Sequence, residues 1–429
     1  MKQTAAPHYY RDTATAYTPY APLAGRAQAR VVVIGGGFAG LNTALGLAER
    51  GVDDVLLLER EQVGFGASGR NGGFVFAGYS LGELALLQQL DAARAAALFQ
   101  LTRDAVQLIR KRIADYAIAC DAVDRGVIWA NWFRDPEVLE RRQSLLAEHY
   151  GVEWQRLEPD ELREIVRTAR YHGGLFEQDA LHLHPLNYAI GLAGAAAARG
   201  VGIHEHSGAI SVHRQGTQWQ VRTVDGEVLA DQVVLACGGY LSALHKRVDR
   251  SVLPIATYVM ATEPLGERLD DCLRTHAAVY DTRFAFDYYR ALPDTRLLWG
   301  GRISVRNRSP RAVQRLLRKD LLAVFPQLRG IGIDYAWSGL MSYARHQMPQ
   351  IGGDGQGLWW AQAFGGHGLA PTCAAGELLA SALAGGDDRW TQFSSFGLVS
   401  ARRPLGYAAA QASYWWQQGR DWLKKGLEG

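Results

Sequence analysis

The stretch "ARVVVIGGGFAGLNTALGLAERGVDDVLLLER", residues 29–60, constrains this chain more than any other. A short β-branched run, 31–34, meets three glycines and then an apolar pattern with a period near 3.6. A second apolar run closes on an acid, Glu59, followed by Arg60. Strand, helix and strand in this order, with both strands apolar throughout, predict a β-α-β unit buried in a parallel sheet. The glycines fall as Gly35-x-Gly37-x-x-Gly40. The first allows a tight turn, the second lets backbone approach a pyrophosphate, and the third lets helix and strand pack closely. Phe38 and Ala39 open the helix, whose free N–H groups and positive dipole end suit phosphate. Glu59 stands where an acid binds ribose hydroxyls, so the unit predicts an unphosphorylated dinucleotide.

Composition removes other classes. Hydrophobic residues are 48% and charged residues 21%, which is globular, and a net charge of +3 with scattered arginines calls for no nucleic acid. The four cysteines form no CxxC pair, so neither a zinc site nor a disulfide framework is expected. No apolar run reaches the ~20 residues of a membrane span, and the N-terminal stretch lacks the apolar core of a signal peptide. The expectation is a cytoplasmic protein.

The identity of the dinucleotide turns on a second stretch, "GFGASGRNGGFVFAGYS", residues 64–80. A plain linker would not carry four aromatics among six glycines. Ala67, Ser68, Arg70, Asn71 and Gly72 form a loop whose backbone can lie against a flat ring, with Arg70 and Asn71 expected to supply donors. A flavin is such a ring, and FAD is the expected cofactor. Two later stretches agree. "VVLACGGY" is a buried strand running into a small-residue turn at Cys237 and Gly238, with Cys237 read as a filler rather than a nucleophile. "AFGGHGLAPT" places Gly366, His367, Gly368 and Leu369 at the start of a helix, whose N-terminus would stabilise negative charge on a reduced flavin.

Dinucleotide-type structure thus recurs at the N-terminus, in the middle and near the C-terminus, with other material inserted twice. The expected division is an arm at 1–29, a cofactor domain from 30–80, 171–250 and 335–400, a substrate domain with a helical insertion from 81–170 and 251–334, and a helical tail at 401–429. Residues 81–170 read mainly as helix, whereas "LPIATYVMAT" and "RLLWGGRIS" suggest an antiparallel sheet. The fold class expected is α/β, with an α+β substrate part.

With "HYYRDTA", "VVVIGGGFAGL", "VGFGASGRNGG", "ALHLHPLNYAIGLA", "LPIATYVMATEPL" and "FGGHGLAPT" in view, the chain resembles the D-amino acid oxidase superfamily of FAD enzymes. Within it, the likeness is to the γ-glutamylputrescine oxidase-like branch, near the glycine and sarcosine oxidases. The resemblance implies an FAD domain of glutathione-reductase type, a substrate domain on a mostly antiparallel sheet, and oxidation of a C–N bond to an imine. Carried over by position, it gives Gly35, Gly37, Gly40 and Glu59 to the ADP half. It gives Ser68, Arg70, Asn71 and Gly72 to the ring, Ala209 to the adenine, and Gly366, His367 and Gly368 to the pyrimidine side. The loop lacks the His or Cys that covalent relatives place near the flavin, so FAD is expected to bind non-covalently, with His367 and Cys373 the residues left as attachment points.

On the substrate side the expected catalytic set is His367, Tyr343 and Arg345, the last two within the distinctive "LMSYARHQMPQIG" that also holds His346. Tyr258, Tyr288, Tyr289, Trp337 and Tyr343 are candidate walls for an amine, and Arg302 or Arg345 a candidate clamp for a carboxylate. Three readings are compatible with these residues. The favoured one is an oxidase of amines or amino acids that uses O2, acting on a substrate such as a polyamine derivative. The second is a dehydrogenase that passes electrons to a quinone or carrier, and the third a flavin-binding scaffold without turnover.

Overall fold

In the computed structural model, which describes residues 8–428, the β-branched run does become a buried strand, but a longer one than its apolar part. Gly25–Ile34 pairs in parallel with Gly226–Leu235 along its whole length, and only its second half is buried. Residues 25–29 therefore belong to the sheet rather than to the N-terminal arm, and residues 1–7 of that arm lie outside the described residues.

The first sheet runs Gln350–Gly353, Leu358–Gln362, Gly226–Leu235, Gly25–Ile34, Val55–Leu58, Gly202–His204. Its four inner pairings are parallel, and the edge strand Gln350–Gly353 is antiparallel. A hairpin, Ser211–Gln215 and Gln218–Arg222, is attached through Gly226–Leu235. Helices Phe38–Glu49, Pro185–Ala198 and Leu369–Gly385 are rich in Ala, Gly and Leu and share one apolar core with this sheet.

The second sheet runs Ile333–Tyr343, Leu253–Thr262, Leu297–Ser304, Asp287–Ala291, Ala278–Asp281, Val127–Ala130, Gly174–Glu177, Gln155–Leu157. It is antiparallel except where Ala278–Asp281 lies parallel to Val127–Ala130. Helix Pro310–Val324 buries Val313, Leu317, Leu321 and Val324 against a core that includes the stacked Tyr289 and Trp299. The fold is thus α/β with an interleaved, mostly antiparallel second layer.

Four strands fall outside the expected pattern. Val127–Ala130 and Gln155–Leu157 interrupt the region read as helix, and Gly174–Glu177 and Ile333–Tyr343 pair with the second sheet although their neighbours feed the first. The first three are strands of three or four residues, too short to show alternation and held extended only by their partners; Ile333–Tyr343 is longer, and its place is set by its pairing with Leu253–Thr262.

Candidate functional site

Between the sheets lies a cavity of about 1910 Å³. A pocket for one small molecule is typically ~300–1,000 Å³, so this one has room for a dinucleotide and a further molecule.

At one end the strand Gly25–Ile34 stops at Gly35, which has φ +116°; a Cβ there would sit 2.6 Å from the carbonyl oxygen of Ala236. A Cβ on Gly40 would lie 1.9 Å from the carbonyl oxygen of Gly35, so the third glycine lets the helix lean on the turn, as its spacing predicts. Gly40 does not line the cavity, whereas Gly35, Gly37, Phe38 and Ala39 do. Gly37 is the N-cap of the helix Phe38–Glu49, and the N–H of Phe38 donates to Ser68 Oγ at 3.0 Å. The glycine loop and the 64–73 loop are therefore tied directly. Glu59 accepts from the Gly36 N–H at 2.6 Å and the Glu61 N–H at 2.9 Å, and burial raises its pKa. Arg60 and Ala209 complete this end.

The 64–73 loop folds around its own polar side chains. Ala67–Gly69 is one 3₁₀ turn. Asn71 Nδ2 donates to the carbonyls of Ala67 (3.0 Å) and Ser68 (2.8 Å), and its Oδ1 accepts from the Gly73 N–H. Arg70 donates from Nε to the Phe65 carbonyl and stacks on the Phe65 ring at 4.8 Å. Polar atoms of both residues thus shape the loop, and both residues also line the cavity. A Cβ on Gly72 would lie 2.5 Å from Tyr288, so that glycine makes way for a protein side chain. The carbonyl of Gly72 accepts from Arg290 Nε at 2.8 Å, and the same guanidinium reaches the Leu183 carbonyl and Tyr10 Oη. Arg290 is 2% exposed.

Opposite this loop, Cys237 and Gly238 close the first sheet. The Cys237 thiol donates to the Ile34 carbonyl, and burial pushes its pKa up to about 12, which fits a filler. Gly366 and His367 donate their N–H groups to Ser80 Oγ, and Gly368 caps the helix Leu369–Gly385. A Cβ on Gly368 would meet nothing within 4 Å, leaving backbone open to the cavity. Two helix N-termini thus open on one elongated space, with a flat backbone loop between them. These features fit FAD: Gly37 would receive the pyrophosphate, and the 64–73 loop and Gly366–Gly368 would hold the ring. Cys373 is fully buried and off the cavity, so it is no attachment point.

The expected substrate residues separate. His367 and Tyr343 line the cavity; burial and then the Arg142 charge lower the His367 pKa to about 3, leaving a neutral imidazole packed edge-on against Phe76 at 4.4 Å. Burial raises the Tyr343 pKa to about 12. Arg345 is exposed at the cavity edge, and His346 bonds the backbone of Gly397 and Met348 outside it. Arg302 is no free clamp, since Asp320 holds it at 2.8 and 2.7 Å. Of the candidate aromatic walls, Tyr288 and Tyr343 line the cavity; Tyr258, Tyr289 and Trp337 are core residues. Phe76, Trp129 and Tyr280 also form walls, the last two brought level by the parallel pairing of their strands. Beside them Glu83, 4% exposed, pairs with Arg142, which lies 5.4 Å over Trp129. No local pattern in the sequence marks these residues, because they meet only through sheet pairing and the helix Glu137–Tyr150.

Comparison with known proteins bears on this geometry. The chain is 34% identical to a probable oxidoreductase OrdL of Haemophilus influenzae, over 91% of each chain. It is 35% identical to the γ-glutamylputrescine oxidoreductase of Escherichia coli, over 90% of this chain and 91% of that one. Among solved structures, glycine oxidase from Geobacillus kaustophilus superposes with a TM-score of 0.70 at 21% identity, over 87% of this chain and 99% of that one. L-proline dehydrogenase from P. horikoshii gives 0.72 at 18% identity, over 86% and 96%. The family described as "DAO: FAD dependent oxidoreductase" matches residues 30–382, and with the glycine turns, the loop and the second helix N-terminus all in place, the chain belongs to this family of FAD-dependent oxidoreductases acting on amine or amino acid C–N bonds.

Proposed function

We propose that this enzyme is an oxidase of an amine whose chain carries further polar groups, such as a γ-glutamylated polyamine, with O2 as electron acceptor. The observation that carries the reading is the end of the cavity beyond the 64–73 loop, where Phe76, Trp129 and Tyr280 surround the buried Glu83–Arg142 pair. Aromatic faces and a carboxylate suit an aliphatic amine, and a guanidinium open to the cavity suits a carboxylate. The E. coli relative, named for γ-glutamylputrescine, supports the same class.

FAD held by these loops would supply a two-electron acceptor for oxidation of the amine C–N bond to an imine, which water would hydrolyse to a carbonyl, with O2 as the final acceptor giving H2O2. The chain's own residues position and exclude. The aromatic walls hold the alkyl chain and keep water from the reacting carbon. His367, neutral at working pH, adds no positive charge beside a substrate that must present an unprotonated nitrogen. The helix Leu369–Gly385 points its N-terminus at the site and stabilises negative charge there.

The test follows the visible flavin band of the purified protein anaerobically with a panel of amines, and then in air. Bleaching by a γ-glutamylated diamine with rapid return in air is the expected result. Slow return in air would replace oxidase by dehydrogenase, and no bleaching by any amine would remove the substrate class.

A further inference from the structure

The C-terminal helix, Leu405–Leu427, is amphipathic in the reverse sense. Its inward face is polar: Gln411 accepts from Ser304 Oγ and the Val305 N–H, Tyr414 Oη accepts from the Ile303 N–H, and Asp421 accepts from the Phe284 N–H. Its outward face is apolar, with Trp415 65%, Trp416 70%, Trp422 73%, Leu423 57% and Leu427 88% exposed. At 100° per residue, Trp416, Leu423 and Leu427 fall within about 40° of Leu405, and Trp415 and Trp422 widen the apolar face by about 80–100° to one side. An ordinary surface helix shows the opposite pattern, so this stripe is built to be covered.

Charge identifies the cover. Residues 401–428 carry Arg402, Arg403, Arg420, Lys424 and Lys425 against Asp421 and Glu428. Both acids are engaged inward, Asp421 with Phe284 and Glu428 with the Arg134 N–H. Arg402, Arg420 and Lys425 are exposed, and so are Arg306 and Arg308 just beyond the strand that the helix grips. An isologous pairing of two copies would set these cations against one another. No helix among the described residues is long and apolar enough to cross a membrane. A helix about 35 Å long with a Trp/Leu face and a basic margin matches the surface of an anionic bilayer, where indole rings settle at headgroup level.

We propose that the protein docks on anionic lipid through this helix, lying in the interface rather than spanning it. Gln411 and Tyr414 on the inward face of the same helix line the cavity, so the docked surface and one wall of the cavity belong to a single element.

The test is flotation of the intact, FAD-loaded protein with vesicles of phosphatidylglycerol and phosphatidylcholine, against vesicles of phosphatidylcholine alone. Binding to the anionic vesicles is expected, weakening as salt rises. Changing Trp415, Trp416 and Leu423 together to Gln should abolish it, with the flavin band retained as the sign of a folded chain. Arg402→Gln and Arg420→Gln should each weaken it roughly fivefold. Failure of the parent protein to float with anionic vesicles overturns the proposal. So does a dimer in light scattering that the triple variant splits, since the stripe would then be covered by a second copy. Neither result bears on the oxidase reading, which rests on the flavin spectrum.

Discussion

Arg290 is the residue whose replacement tests the site's construction most sharply. Its guanidinium is buried and holds the carbonyls of Gly72 and Leu183, each at 2.8 Å. Arg290→Met keeps the length of the side chain and removes all of its donors. Each carbonyl left buried without a partner is worth ~1–3 kcal/mol, so the two together predict a loss of ~2–6 kcal/mol. Some of this returns, because burying the charge was itself unfavourable, which favours the lower half of that range. The two bonds differ in kind. The Leu183 bond anchors the small sheet of Phe74–Val75 and Leu181–His182, whereas the Gly72 bond fixes a loop against which FAD would lie. If FAD must re-order that loop, the ~1–3 kcal/mol of the Gly72 bond appears as a 5–150-fold weaker affinity. The assay pairs urea unfolding of the FAD-free protein with fluorescence titration of FAD. Stability and affinity should both fall. A variant that unfolds like the parent and takes up FAD equally well would show that Arg290 does not hold this loop.

Three further outcomes follow from the same coordinates. Gly368→Val, whose side chain would enter open space at the helix N-terminus, should leave the urea midpoint near the parent's and lower FAD occupancy on purification; full occupancy would move the ring away from Gly368. Burial raises the Glu177 carboxyl to about 8, against an Arg142 charge that lowers it, so its contribution to stability is complete below pH ~4.5 and is lost as pH rises through about 8. Glu177→Gln should therefore match the parent near pH 5 and exceed it near pH 9 by on the order of 2–4 kcal/mol in denaturant melts, and a pH-independent difference would contradict the assignment. Glu83→Gln should raise KM about tenfold for amines that carry a second positive charge and change simple monoamines little; equal effects on both would leave Glu83 the sole task of holding Arg142.

The parts legible in the sequence were those whose chemistry is local. A glycine at Gly35, a cap at Gly37 and an acid at Glu59 act within one β-α-β unit, so their spacing alone carries the meaning. The second helix N-terminus at Gly368 was visible for the same reason. The aromatic end of the cavity was not, because Trp129 and Tyr280 become neighbours only when two strands some 150 residues apart in sequence pair in register. Arg302 looked free because its partner, Asp320, sits on the next helix. Arg70 and Asn71 are a subtler case. Their presence in the loop was informative, but polar side chains in a tight turn also satisfy the turn's own backbone.

The order of strands in the first sheet also governs how the molecule can be made. Helix Phe38–Glu49 is among the first elements to leave the ribosome, and it packs against Leu369–Gly385, which emerges roughly 300 residues later. At ~5–20 residues per second, the nascent chain waits ~15–60 s with that face uncovered. Strand Gly25–Ile34 likewise gains its neighbour Gly226–Leu235 only when half the message has been read. The cavity joins Gly35 and Gly37 to Gly366 and Gly368, so a cofactor held between them would be captured only once most of the chain has been made. Until then helix Phe38–Glu49 leans only on Pro185–Ala198 and the strands beside it, and the face that meets Leu369–Gly385 stays uncovered.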